Sequence, residues 1–153
     1  MSHQLEQLLT YLGIIPFLFL AVMINSGTHS LPYVGSTLDA FCLYGLIIAV
    51  FLLGSLWSIK WHLGKWKSIF VALMSNFGVL VLYFSYLLMS RIVFMLTNSL
   101  VFALILAIDY WLLTQRQIAK YYFGIRFNVS LIVIVIQLSV VFFGFNASLI
   151  EGY

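Results

Sequence analysis

Residues 92–113 read IVFMLTNSLVFALILAIDYWLL, an apolar run interrupted by a short polar cluster and closed by one aspartate near its end. As a helix rising ~1.5 Å per residue it spans about 33 Å, enough to cross a ~30 Å hydrocarbon core. Arg91 precedes the run and Gln115-Arg116 follows it, so polar residues bracket it at both ends. Four more apolar runs lie at 8–24, 38–58, 68–89 and 127–146. The pattern predicts an all-α integral membrane bundle of five transmembrane helices, one domain over residues 1–153.

Composition agrees. Hydrophobic residues make up 64% of the chain and charged residues 7%, with a mean hydropathy of +1.14. A soluble domain averages about a quarter charged, and 7% is too few to build a water-facing surface. The net charge of +3 and pI near 9.1 do not point to nucleic acid. The basic residues sit in short loops between apolar runs, where they orient the chain and meet lipid headgroups. The expected surroundings are the lipid bilayer, with no nucleic acid partner.

The loops assign the sides. With five spans, Lys60, Lys65, Lys67, Arg116, Lys120 and Arg126 share one side and Arg91 alone lies on the other. Positive charge is retained inside, so the N-terminus is expected inside and the C-terminus, with Glu151, outside. Trp57, Trp61, Trp66 and Trp111 then gather toward the inner interface, with Tyr33 and Tyr153 outside. Runs two and three, and runs four and five, form two hairpins over basic inner loops. They share no residue-level match, and generic short basic loops explain the likeness.

The first run is the shortest. It lacks a basic segment before it and an A-x-A site after it, so it reads as a retained helix rather than a signal peptide. Pro16 predicts a kink or a late helix start. Residues 25–37, with Gly27, Pro32 and Gly35, read as the one real loop. Residues 90–91 are a tight turn.

Small residues spaced by four let helix backbones approach, which marks Gly45 with Ala49, Ala103 with Ala107, and Gly144 with Ser148. Polar side chains at depth are costly against lipid. Ser75, Asn76, Ser85, Thr97, Asn98, Gln137 and Ser139 are therefore expected to face inward, each in an interhelical hydrogen bond.

Asp109 is the most informative residue. It lies about one turn inside the end of its run and needs a partner. Arg116 is seven positions on, two turns along the same face, and Arg126 opens the next helix across the hairpin. An Asp–Arg clamp closing the hairpin is the favoured reading, with proton or cation handling as the other. Because an arginine near the interface can reach water, Asp109→Asn is expected to cost about 1–2 kcal/mol.

No catalytic constellation is present. His3, His29 and His62 have no ligand spacing, and Cys42 stands alone within an apolar run, so neither a metal nor a disulfide is expected. The sequence holds no GxSxG, HExxH, GxGxxG or phosphate loop. Glu6, Asp39, Asp109 and Glu151 are isolated from one another. No cofactor is expected, and the chain reads as a non-enzyme.

Three segments resemble a known family in order and spacing. Tyr11-Leu12-Gly13-Ile14-Ile15-Pro16-Phe17 looks like an opening Gly-x-x-Pro-Phe motif. Phe51-Leu52-Leu53-Gly54-Ser55-Leu56-Trp57 is similar to a second-helix motif reading F-L-G-G-x-H-W, with Leu56 in place of the histidine and Leu53 in place of a glycine. Asp109, followed by Tyr122 and Arg126, looks like an Asp before an aromatic-and-Arg loop. The chain thus resembles domain of unknown function 3429, the transmembrane protein 69-like family of integral membrane proteins. The resemblance covers roughly residues 11–141 and singles out Gly13, Pro16, Gly54, Trp57, Asp109 and Arg126. It implies a multi-pass protein of the bacterial inner (cytoplasmic) membrane, or of the mitochondrial inner membrane, and brings no molecular activity.

Two functions compete. A nearly loop-free bundle with no active site suits a non-catalytic accessory or assembly partner of a larger membrane complex. The alternative is a small carrier or channel acting as a homo-oligomer, with a path between protomers or along Asn76, Asn98 and Gln137.

Overall fold

The computed structural model describes residue 8 and residues 10–32, 35–60 and 63–150, with backbone alone at 58, 60 and 144–150. His3, Glu6, Tyr33, Trp61, His62, Glu151 and Tyr153 lie outside the described residues, as do the side chains of Lys60 and Ser148. The order is α1 (Ile15–Asn25), β1 (Ser30–Leu31), β2 (Gly35–Ser36), α2 (Thr37–Lys60), α3 (Lys65–Leu88), α4 (Arg91–Thr114) and α5 (Lys120–Ile150).

Four helices, α2 to α5, are long and apolar enough to cross a membrane. The first is shorter. Pro16 sits in the opening turn of α1, where its missing N–H costs nothing. The helical turn before it breaks at Gly13–Ile14, so the late start expected from Pro16 occurs. From Thr10 to Asn25 the described part of the segment reaches about 24 Å, short of a ~30 Å core.

The stretch read as a loop contains structure. α1 ends with Gly27 at φ 80°, while the N–H groups of Gly27 and Thr28 return to Ile24 and Met23 carbonyls at 3.0 Å each. That is a Schellman ending, and it favours glycine at the left-handed position. A two-residue antiparallel ladder follows, pairing Ser30 with Ser36 and Leu31 with Gly35. Strands of two residues carry no periodicity, so pattern alone could not find them.

α5 starts at Lys120, seven residues before the apolar run predicted. The charge of Arg126 had marked a boundary. Arg126 is instead 5% exposed and inside the bundle, so the helix continues through it.

α2 packs on α1, α3 and α4, and α4 packs on α2, α3 and α5, while α1 rests between α2 and α5. At the α1–α2 contact Phe17 stacks on Phe41 with centroids 4.3 Å apart. The Tyr44 hydroxyl donates to the Gly13 carbonyl at 2.8 Å, beside the broken turn. Ala49 is buried, as its small size predicts. Ala103 and Ala107 are exposed and do not form the predicted helix contact. They sit on the far side of α4 from Phe102, Ile105 and Asp109, the residues that pack inward.

α4 also ends in a Schellman turn. The Arg116 and Gln117 N–H groups return to Leu113 and Leu112 carbonyls, each at 2.9 Å, and Arg116 holds φ 56°. A non-glycine residue there is strained by about 1 kcal/mol or more. Arg116→Gly is expected to raise the unfolding midpoint in detergent, by the equivalent of about 0.5–1 kcal/mol. An unchanged or lower midpoint would contradict that reading of the turn.

Candidate functional site

The antiparallel hairpin α4–α5 carries the polar interior. On α4 the buried row is Asn98, Phe102, Ile105, Asp109 and Leu112; on α5 it is Arg126, Ser130, Val133, Gln137 and Val140. Both rows advance by fours and threes, the seam spacing of paired helices. The Arg126–Asp109 and Ser99–Gln137 contacts set the register, and it repeats the polar content at two levels. These lie about 16 Å apart along α4, from eleven residues of rise.

The first level is an ion pair. Arg126 Nε donates to Asp109 Oδ2 at 2.7 Å, with the two side chains 6% and 0% exposed. Arg126 Nη1 donates to Ser55 Oγ at 2.5 Å and to Tyr122 OH at 3.1 Å. Nη2 reaches the Leu52 carbonyl at 3.4 Å. The guanidinium also lies 5.3 Å from the Tyr122 ring centroid. Four of its five N–H groups are thus spent on this chain. Asp109 Oδ1 is buried without a hydrogen bond.

This node draws on three helices. Ser55 and Leu52 come from α2, Asp109 from α4, and Tyr122 and Arg126 from one face of α5, four residues apart. Arg116, the other arginine considered for Asp109, is exposed. α4 has ended before it, and its left-handed backbone carries the chain off the face that Asp109 shares.

The second level is an amide cluster. Ser99 Oγ donates to Gln137 Oε1 at 2.7 Å. Asn98 is fully buried, and neither of its amide atoms has a partner. Gly45 of α2 makes the room. A Cβ there would sit 2.9 Å from Asn98 Nδ2 and 3.0 Å from Gln137 Nε2. Asn98 and Gln137 therefore share a layer, as expected of inward amides.

Asn76 does not join them. It is exposed on α3, and its Nδ2 donates to the Ala72 carbonyl of its own helix at 3.0 Å. The adjacent Ser75 takes the inward position and donates to the Leu53 carbonyl at 2.7 Å. Consecutive helical residues point about 100° apart, so only one of the pair can face the core. Ser85 is buried but has no partner. Thr97 and Ser139 turn back to carbonyls of their own helices, Val93 at 2.9 Å and Ile136 at 2.7 Å.

A second ion pair lies at the opposite end. Arg91 Nε meets Asp39 Oδ1 at 2.6 Å, with 33% and 49% of the side chains exposed. Arg91 also donates to the Tyr86 carbonyl at 2.9 Å. Sequence reading left Asp39 isolated. The signal was available, because two helices separated by one return helix run parallel and start at the same end. Ser55, Ser99 and Ser130 were missed because a serine in an apolar run does not announce its face. Of the remaining motif residues, Gly54 has open space around it and Trp57 is 40% exposed.

Two clefts open between helices. One of about 570 Å³ lies between α3 and α4, lined by Trp66, Lys67, Phe70, Leu104, Ala107 and Trp111 among others. Another of about 330 Å³ lies between the turn before α1 and helices α2 and α5, where Gly13, Tyr44, Phe51, Leu52 and Val129 contribute. Neither contains a carboxylate. Among the described residues no His, Cys, Asp and Glu cluster could hold a metal ion.

The family whose model matches the chain is described as "Protein of unknown function (DUF3429)", over residues 2–142. That is nearly the whole length, so the chain belongs to this family. No curated protein and no solved structure matches it.

Proposed function

We propose that this DUF3429 member is a non-catalytic, multi-pass protein of a bacterial or mitochondrial inner membrane, serving as an accessory or assembly partner of a larger membrane complex. The observation that carries the reading is how the buried charge is used. Arg126 spends four N–H groups on Asp109, Ser55, Tyr122 and Leu52, so the Asp–Arg node acts as a clamp joining α2, α4 and α5. It presents no converging acid, base or nucleophile to a cleft, as a catalytic site requires. Affinity purification of the full chain in mild detergent tests this. Stoichiometric membrane-protein partners are expected, and a chain recovered without any would overturn it.

For the carrier or channel alternative, the arrangement of Asn76, Asn98 and Gln137 does not support a path along these three residues, which leaves a path between protomers. Asn76 lies on the outer face of α3, while Asn98 and Gln137 are packed between α4 and α5, so no polar line joins them within one copy. In the proposed topology the end holding Lys65, Lys67, Arg116 and Lys120 faces inside. That assignment follows from α2 to α5 alone, and α1 adds a fifth crossing only if it spans. Labelling of single cysteines in a Cys42→Ala background should find position 117 inside and position 28 outside; the reverse would overturn it.

A further inference from the structure

α3 is the least buried of the four long helices. Along its outer face run Ile69, Leu73, Asn76, Leu80, Tyr83 and Leu87, all exposed. Their spacings alternate four and three throughout. This 3.5-residue repeat, flanked by the equally exposed Phe70, Phe77, Phe84 and Leu88, is the spacing that a two-stranded coiled-coil seam uses, and in such a seam one polar residue at a central position sets register and partner number. Asn76 holds that position. It lies halfway along Lys65–Leu88, about 16–18 Å from either end and so near the bilayer midplane.

At that depth the surrounding lipid offers no donor. Asn76 Nδ2 is satisfied by the Ala72 carbonyl, but no described residue donates to Oδ1. Among the described side chains of the long helices Asn128 is the other exposed asparagine, and it lies two residues past Arg126, near the basic end where water is in reach. Among the described residues, Asn76 is the exposed asparagine at the midplane whose amide oxygen is left for a partner from outside the chain.

We propose that α3 forms a homodimer interface, with two copies meeting in parallel about a twofold axis normal to the membrane. The chemistry selects a second copy. A carboxamide is both donor and acceptor, so two Asn76 side chains related by a twofold satisfy each other. Copies inserted in the same orientation place them at the same depth. The seam carries no charge to repel its twin, and its bulky residues suit left-handed knobs-into-holes contact rather than close small-residue crossing. The self-association does not depend on the accessory reading above.

The test uses the full chain in membranes, in a Cys42→Ala background. Single cysteines at positions 73 and 80 should form disulfide-linked dimers under copper phenanthroline. One at position 51, exposed on α2, should not. Asn76→Leu should weaken dimerisation about tenfold, as read by energy transfer on dilution in phosphatidylcholine vesicles. Its unfolding midpoint in detergent should not fall, because the side chain lies outside the core. Asn76→Gln, which keeps the amide, should retain the dimer. No cross-link at 73 and 80, or a dimer unaffected by Asn76→Leu, would overturn the proposal. So would a chain that is monomeric alone and cross-links through α3 only to a different protein.

Discussion

Asp109→Asn is expected to destabilise the bundle by about 3–5 kcal/mol, several times the cost of neutralising Asp39 at the other end. The sequence alone suggested about 1–2 kcal/mol, on the ground that a released arginine reaches water. Arg126 is only 5% exposed and is held by Ser55, Tyr122 and the Leu52 carbonyl. It cannot turn outward without abandoning all three, so the variant leaves a buried, unpaired charge. The Asp39–Arg91 pair keeps 49% and 33% of its side chains exposed, and its removal should cost no more than about 1 kcal/mol. Arg126→Gln should cost as much as Asp109→Asn. The double variant should cost less than the sum of the singles, by about 2 kcal/mol, since both lose the same bond. Replacing both by apolar residues, Asp109→Leu with Arg126→Met, separates stability from function. Such replacements of buried pairs are often neutral or stabilising. A clamp predicts a stable protein that still recovers its partners, whereas a stable protein without them would assign the charges a further role. SDS titration in mixed micelles measures the stability, and a cost below about 1 kcal/mol for Asp109→Asn would refute the clamp.

What the sequence could and could not disclose follows from the solvent. Apolar runs separated by basic loops locate α2, α3 and α4 to within a few residues, because the membrane demands ~20 apolar residues per crossing. The pairing of Asp109 with Arg126 was legible too, since a hairpin brings the end of one helix to the start of the next. Helix phase was not. In a soluble helix, polarity marks the outer face. Here both faces of α3 and α4 are apolar, so nothing distinguished Ser75 from Asn76, or Ala103 from Phe102. The same blindness misplaced the start of α5. A charge was read as an end, because an apolar criterion cannot know that Arg126 turns inward to a carboxylate.

Gly45→Val is expected to cost about 3 kcal/mol or more, while Gly54→Ala should be neutral or slightly stabilising. Both glycines lie on α2, and the sequence marks Gly45 only through its four-residue spacing to Ala49, which does not say what it packs against. At Gly45 a Cβ would meet Asn98 Nδ2 at 2.9 Å and Gln137 Nε2 at 3.0 Å. Those atoms end flexible side chains, but the residues are 0% and 1% exposed, so neither has open space to retreat into. Moving Gln137 breaks its bond from Ser99, held at 2.7 Å. Overpacking of a filled core costs about 1–3 kcal/mol, and an unmade buried hydrogen bond adds about 1–3 kcal/mol. Relief has to come from separating α2 from the α4–α5 hairpin, which also strains the Arg126 bond to Ser55 at the other level. Gly54 has nothing within 4 Å, so alanine there meets no clash and gains up to ~1 kcal/mol of helix propensity. Gly45→Ala should fall between the two, since one methyl must be absorbed by two amide tips. The order of unfolding midpoints in detergent is the measurement. If Gly45→Val matched Gly54→Ala, the amide layer would not be the close contact that joins α2 to the hairpin.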